Sequence, residues 1–286
     1  AEWSSWRSVP EGFEVYATRL TSDCAPIQTT RFHLRVTPSG EIRVLGSSVV
    51  QESGGCAGRK PAGLRSGSVA LGKSALGDYL ARIAHLEAAS VVAFERLARE
   101  LRAHGAPLGL LRGAIEARGD EVRHAEQLGQ LALARGGQLS ALDVKDLPVR
   151  ELEEIALENT VEGCVRETFG ALVGAYQAQH AQDAELRRAM VAVAADEARH
   201  AALSHRVQHW LEPRLSAEAR ERVRHARERA VFELAHEIAT GESDELRREA
   251  GLPSPEMSHI LLEELTKTLW SSPFNPRGHI ALGSNS

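Results

Sequence analysis

One five-residue string, Asp-Glu-x-Arg-His, occurs twice, as Asp120-Glu121-Val122-Arg123-His124 and Asp196-Glu197-Ala198-Arg199-His200, 76 positions apart (196 − 120). Each copy lies in an alanine- and leucine-rich stretch with helical apolar spacing. Residues three apart share a helix face, so Glu121 projects with His124 and Glu197 with His200. A carboxylate beside an imidazole is a pair of metal ligands. Two such pairs are four of the six ligands of a two-metal centre in a helical bundle, and the other two are one glutamate from each of two more helices.

Spacing selects those glutamates. Glu87 precedes Glu121 by 34 residues (121 − 87), and Glu162 precedes Glu197 by 35 (197 − 162). Glu87 opens Glu-Ala-Ala-Ser-Val-Val-Ala-Phe and Glu162 opens Glu-Gly-Cys-Val-Arg-Glu-Thr-Phe, so Phe94 and Phe169 share a register. Glu95 and Glu158 are competing choices whose spacings of 26 (121 − 95) and 39 (197 − 158) match neither each other nor that pair. The expected ligands are therefore Glu87, Glu121, His124, Glu162, Glu197 and His200. Four carboxylates and two imidazoles suit iron or manganese better than structural zinc, and Fe/Fe, Mn/Fe and Mn/Mn pairs all satisfy them. Asp120 and Asp196 are expected to accept the second ring N–H of a ligand histidine on a facing helix. Arg123 and Arg199, three residues on, are expected to pair with those aspartates.

Helices must position these groups. The pattern predicts a helix from a cap at Asp78 to about His104, stopped by Gly105-Ala106-Pro107, and a second from about Leu108 to Ala134, ended by Gly136-Gly137. A third spans about Glu151 to His180, and a fourth follows Gln182-Asp183 to about Trp210. Two more cover about Ser216–Ala239 and Pro255–Trp270, before a Pro/Gly/Ser/Asn-rich tail. Tight turns make helices one and two, and three and four, antiparallel hairpins. The roughly 15-residue connection between the hairpins reaches up to about 50 Å extended, enough to run the length of a 25-residue helix of about 38 Å.

Ahead of the helices, alternation over Phe13–Ala17, Phe32–Val36 and Glu41–Leu45 predicts strands, with a hairpin turn at Thr37-Pro38-Ser39-Gly40. Ser53 to Gly72 is Gly-, Ser- and basic-rich and reads as a linker. The expected domains are 1–72, a β module with linker; 73–212, the metal-binding helices; and 213–286, two further helices and a tail.

Net charge −5 and pI about 6.2 give no electrostatic case for nucleic acid, and no apolar run of 18 residues predicts a membrane span. The cysteines, Cys24, Cys56 and Cys164, form no CxxC pair. A Cys24–Cys56 disulfide would staple the β module; with a chain starting at Ala1 rather than Met, this leads to an expectation of export. Cys164 reads as a small buried hydrophobe, and His205 and His209 as exposed groups near a helix end.

The two hairpins, with Glu87, Glu121-x-x-His124, Glu162 and Glu197-x-x-His200, resemble the ferritin-like di-iron carboxylate superfamily over about residues 78–210. The strings from Glu87 and Glu162 are similar to those of bacterial ferritin-like-domain proteins common in myxobacteria. The resemblance implies a mainly α fold: a ferritin-like four-helix bundle with a long crossover, here with two extra C-terminal helices and a small N-terminal β module. It implies two Fe ions and a non-haem oxidoreductase that activates O₂ or peroxide, as an oxidase or oxygenase on a small-molecule substrate with a separate electron donor. The alternatives are ferroxidase, peroxide scavenging or metal binding without an organic substrate, and a bundle that is scaffold for partner binding. The chain is longer than a cage-forming ferritin subunit and lacks rubredoxin cysteines, so a monomer or small homo-oligomer is expected. Of the tyrosines (Tyr16, Tyr79, Tyr176), only Tyr176 is placed to approach the centre from the third helix.

Overall fold

Alternating residues near the N-terminus form an antiparallel meander in the computed structural model, which describes residues 2–22, 27–53, 59–65 and 73–270. Strands β1 (Glu2–Val9), β2 (Gly12–Ser22), β3 (Ile27–Val36) and β4 (Ile42–Ser53) pair in chain order. The expected hairpin turn is present: Thr37 and Glu41 close it, with Gly40 N–H donating to the Thr37 carbonyl at 2.9 Å. Glu14 on β2 ties both neighbours, accepting from Arg7 of β1 at 2.5 Å and Arg35 of β3 at 2.9 Å. Such cross-strand ion pairs pin register. Cys24 and Cys56, the expected disulfide pair, lie outside the described residues.

The remainder is mainly helical: α1 (Ala75–Ala103), α2 (Leu108–Ala134), α3 (Leu152–Glu158), α4 (Thr168–His180), α5 (Ala184–Leu211), α6 (Ala217–Thr240), α7 (Asp244–Ala250) and α8 (Pro255–Leu265). The N-cap of α1 is Ser74 rather than Asp78: its hydroxyl accepts from the Gly77 N–H at 2.9 Å and donates to the Arg135 carbonyl at 2.6 Å. A cap that also binds a neighbouring chain end outcompetes one that does not. There the start of α1 meets the end of α2 through bare glycines, since a Cβ on Gly137 would lie 2.2 Å from the Gly77 carbonyl oxygen.

Residues 136–150 run back along α1 from this end to the other. Arg96 of α1 donates to Lys145 O at 2.9 Å, Arg99 to Leu147 O at 2.6 Å, and His104 bonds Arg150 O at 2.7 Å. Arg150 then grips Glu100 on α1 (2.7 Å) and Glu158 on α3 (2.7 Å), fixing where the second hairpin starts.

The third helix is not the uniform α-helix expected. Asn159–Glu167 is π-helical, between α3 and α4. Its wider turns leave polar groups that neighbours satisfy: Asn159 Nδ2 donates to the Ser204 carbonyl and Gln208, and the Trp270 indole donates to the Cys164 carbonyl at 3.1 Å. Cys164 is a free, buried thiol, as expected, and burial pushes it up to about 12.

Two of the three apolar clusters of the helical unit flank its middle. One gathers Phe94, Leu101, Leu110, Leu203, Trp210 and their neighbours; the other gathers Leu80, Ile83, Leu128, Leu186 and Val193. Along α1, α2 and α5 the sequence-predicted ligands fall between these clusters. The chain divides into two units, Ala1–Cys56 with Thr240–Glu242, and Ala57–Ala239 with Ser243–Ser286. The C-terminal helices fall in the second of these units. They cover α4 through Leu234, Leu262 and Trp270 packed on Val165 and Phe169. Residues 59–65 belong to this unit as well. The short helix α7 has no counterpart in the sequence pattern. Among the described residues no helix is long and apolar enough to cross a membrane.

Candidate metal centre

At mid-length of the helices, α1 presents Glu87, α2 presents Glu121 and His124, and α5 presents Glu197 and His200. The end of the π-helical stretch presents Glu167. All six are at most 6 % exposed. They form two overlapping groups, Glu87, Glu121, His124 and Glu197, and Glu121, Glu167, Glu197 and His200, in each of which ligand atoms lie within 4.8 Å of one another. Either group could hold a metal ion. Glu121 and Glu197 belong to both.

Five of the six expected ligands converge, and Glu162 does not. Its carboxylate accepts from the Lys60 backbone N–H at 3.3 Å, and Glu167 stands in its place. The reason is geometric. A π-helix has more residues per turn than an α-helix, so Glu162 and Glu167, five apart, lie one turn from each other on nearly one face. Inter-glutamate spacing hides this, because it takes no account of the π-helical stretch Asn159–Glu167 within the third helix.

The histidines are oriented crosswise. His124 Nε2 on α2 reaches Asp196 Oδ2 on α5 at 3.0 Å, and His200 Nε2 on α5 reaches Asp120 Oδ2 on α2 at 3.1 Å. A carboxylate only accepts, so each imidazole donates through Nε2 and turns Nδ1 inward. There His200 Nδ1 lies 3.1 Å from Glu121 Oε1 and His124 Nδ1 3.4 Å from Glu197 Oε1. Arg199 holds Asp196 at 2.6 Å and Asp120 at 3.1 Å, while Arg123 pairs with Asp120 and lies 3.4 Å from Asp196. Despite partial burial, these bonds to His200 and Arg123 hold Asp120 below the usual carboxylate range.

Burial and charge pull the cluster apart electrostatically. Burial, with the charges of Glu87 and Glu197, raises Glu121 well above an ordinary carboxylate. Burial likewise lifts Glu167 to about 7. For His124 and His200 burial opposes the charged form, but the Glu197 carboxylate, 3.4 Å and 3.5 Å from their Nδ1 atoms, outweighs it, raising them to about 10 and about 9. Seven inward-facing atoms still have no hydrogen-bond partner among the described residues: Glu87 Oε2, both oxygens of Glu121, Glu167 Oε1, Glu197 Oε1 and Nδ1 of both histidines. Buried polar atoms are normally satisfied. An orphaned set made only of oxygens and imidazole nitrogens fits a metal ion.

Other sequence candidates lie elsewhere. Tyr176 stacks on His180 at 3.9 Å, away from the ligands. His209 is exposed as expected, whereas His205 is half-buried, and burial with the nearby Arg227 charge holds it down at about 4. Glu95 is exposed and Glu158 is bound by Arg150, so neither competing glutamate enters the cluster.

Glu167 was not among the sequence candidates, and neither was Arg59, 2 % exposed, from the supposed linker. It donates to Asn159 Oδ1 at 2.8 Å and Ser204 Oγ at 3.0 Å, and it lies 3.8 Å from Glu167. Nothing local in its Gly-rich surroundings marks it. The only trace is Gly163, where a Cβ would sit 2.1 Å from the guanidinium. No family model, curated protein or solved structure matches the chain.

Proposed function

We propose that the cluster holds two metal ions, iron first among the candidates, and that the chain uses them to activate dioxygen or peroxide. The observation carrying this reading is the set of seven orphaned ligand atoms, grouped as two overlapping sites that share Glu121 and Glu197. Two divalent ions would balance four carboxylates that are otherwise costly to bury ionised. The connection running back along α1 supports a ferritin-like four-helix bundle made of α1, α2, the α3–α4 helix and α5.

When bound, such a metal pair supplies electrons for reducing an oxidant. The protein's residues do the rest. Asp120 and Asp196 fix the imidazole tautomers and raise their basicity, Arg123 and Arg199 hold the aspartates in place, and the two apolar clusters exclude water on either side. A separate donor restores the electrons, for the cysteines supply no iron–sulfur motif.

The space beside the ligands favours the reading without an organic substrate. A cavity of about 20 Å³ abuts Glu87 and Glu197, walled by Ile83, Leu128, Gly170 and Val193. Room of this order holds roughly one water-sized molecule. It suits dioxygen or peroxide.

Elemental analysis of protein purified without chelator, then anaerobic Fe(II) titration and exposure to O₂, tests the proposal. About two iron or manganese per chain is the expected stoichiometry for this ligand set, with an optical band on oxygenation. No stoichiometric uptake overturns it.

A further inference from the structure

Arg59 reaches the centre from outside the helices that build it, and four features seat it there. Its backbone is locked to α1 by a reciprocal pair of bonds: Arg59 N–H donates to Ser90 Oγ at 2.7 Å, and Ser90 Oγ donates to the Arg59 carbonyl at 2.9 Å. Its guanidinium lies over the Phe94 ring, 5.0 Å from the centroid, and Phe94 in turn meets His200 edge-on at 5.2 Å. Its Nη2 bonds Ser204 Oγ, which bonds Glu167 Oε2 at 2.9 Å. The π-helical stretch leaves Gly163 bare where Nη2 sits. A charge this deeply buried is costly without an opposite one. Among the described residues Glu167, at 3.8 Å, is the only carboxylate within ion-pair distance of Arg59.

We propose that Arg59 is a built-in counter-cation of the carboxylate cluster, a positioning residue that holds Glu167 in the metal-free protein and limits how tightly the centre takes up divalent metal. The inference rests on the reading of the cluster as a metal site. Its logic is electrostatic. Four acids share this interior with two imidazoles and one guanidinium, and an incoming divalent ion meets a fixed positive charge beside one of its ligands. Removing that charge destabilises the metal-free protein more than the metal-loaded one, because the ion then supplies the missing cation. By linkage, whatever destabilises only the metal-free folded state tightens metal binding to it.

The test compares wild type with Arg59→Met, which keeps bulk and loses charge, and Arg59→Lys, which keeps charge. Melting temperatures are measured without metal and with saturating Mn(II), and Mn(II) affinity is measured by anaerobic titration. Arg59→Met is expected to lower the metal-free melting temperature more than the Mn(II)-loaded one and to tighten Mn(II) binding by about tenfold or more. Arg59→Lys returns both toward wild type. Equal loss in both states with unchanged affinity, or weakened binding, overturns the inference and reduces Arg59 to packing. If Arg59→Met is unfolded without metal, recovery of helical circular dichroism on adding Mn(II) supports the proposal, and failure to recover overturns it. Failure of wild type to bind Mn(II) or Fe(II) is a different result, which removes the metal reading itself.

Discussion

Two glutamates five residues apart, Glu162 and Glu167, separate what local sequence reveals from what helix geometry decides. Glu167→Gln is expected to abolish half or more of the metal uptake, whereas Glu162→Gln leaves stoichiometry at the wild-type value; titration of both variants with Fe(II) under anaerobic conditions checks this. Asp120→Asn and Asp196→Asn keep the ligands but weaken the acceptor for a ligand imidazole, and are expected to lower metal affinity by about 10–100-fold. Competitive titration against a chelator reads that loss. The crosswise aspartates were legible because a ligand histidine needs an acceptor and the repeated string placed one beside each ligand glutamate. Arg59 was not legible, since a buried ion pair between residues 108 positions apart (167 − 59) leaves no periodicity.

Among the elements, turns placed helix ends well at Pro107 and Gly136, which act through near neighbours, whereas the cap of α1 is Ser74 and not the expected Asp78. The π-helical stretch escaped because its stabilisers, Trp270, Ser204 and Gln208, come from far along the chain. The connection between hairpins is held at its far end by Arg150, which bridges the fully buried Glu100 and Glu158. Arg150→Met strands both carboxylates and is expected to cost about 3–5 kcal/mol, read by urea denaturation at neutral pH. Burial alone would raise Glu158, yet Arg150 holds it below its ordinary 4.5. Its contribution is therefore present above that value and is lost as pH falls through the lower folded-state value. Stability of the wild type should drop across that acid range, and the drop should be shallower in Arg150→Met.

For the whole molecule, the cavity beside Glu87 and Glu197 is the open space that adjoins two of the cluster's carboxylates. Gly170 lines it, and a Cβ there would meet nothing within 4 Å. Gly170→Leu should add bulk at the wall of this cavity without a clash at its Cβ, while improving helix propensity by up to about 1 kcal/mol. Metal stoichiometry is expected to stay unchanged, and stopped-flow mixing with O₂ should show oxidation slowed by tenfold or more. Unchanged oxidation kinetics would show that oxidant does not pass this way. The mainly helical fold with a small antiparallel sheet followed from apolar periodicity alone. The seating of α6 and α8 on α4 did not, since an amphipathic pattern names the face a helix buries and not its partner.

The crosswise bonds also bear on how such a chain can drift. Each half of the centre borrows its supporting acid from the other half: His124 leans on Asp196, and His200 on Asp120. Neither hairpin carries a finished half-site that could be inherited alone. A change at Asp120 is felt 80 residues away at His200 (200 − 120) and not at His124, one turn along the same helix. Among descendants of this sequence, positions 120 and 200 should vary as one pair and 124 and 196 as another, so the two strings stay alike because each answers for its twin.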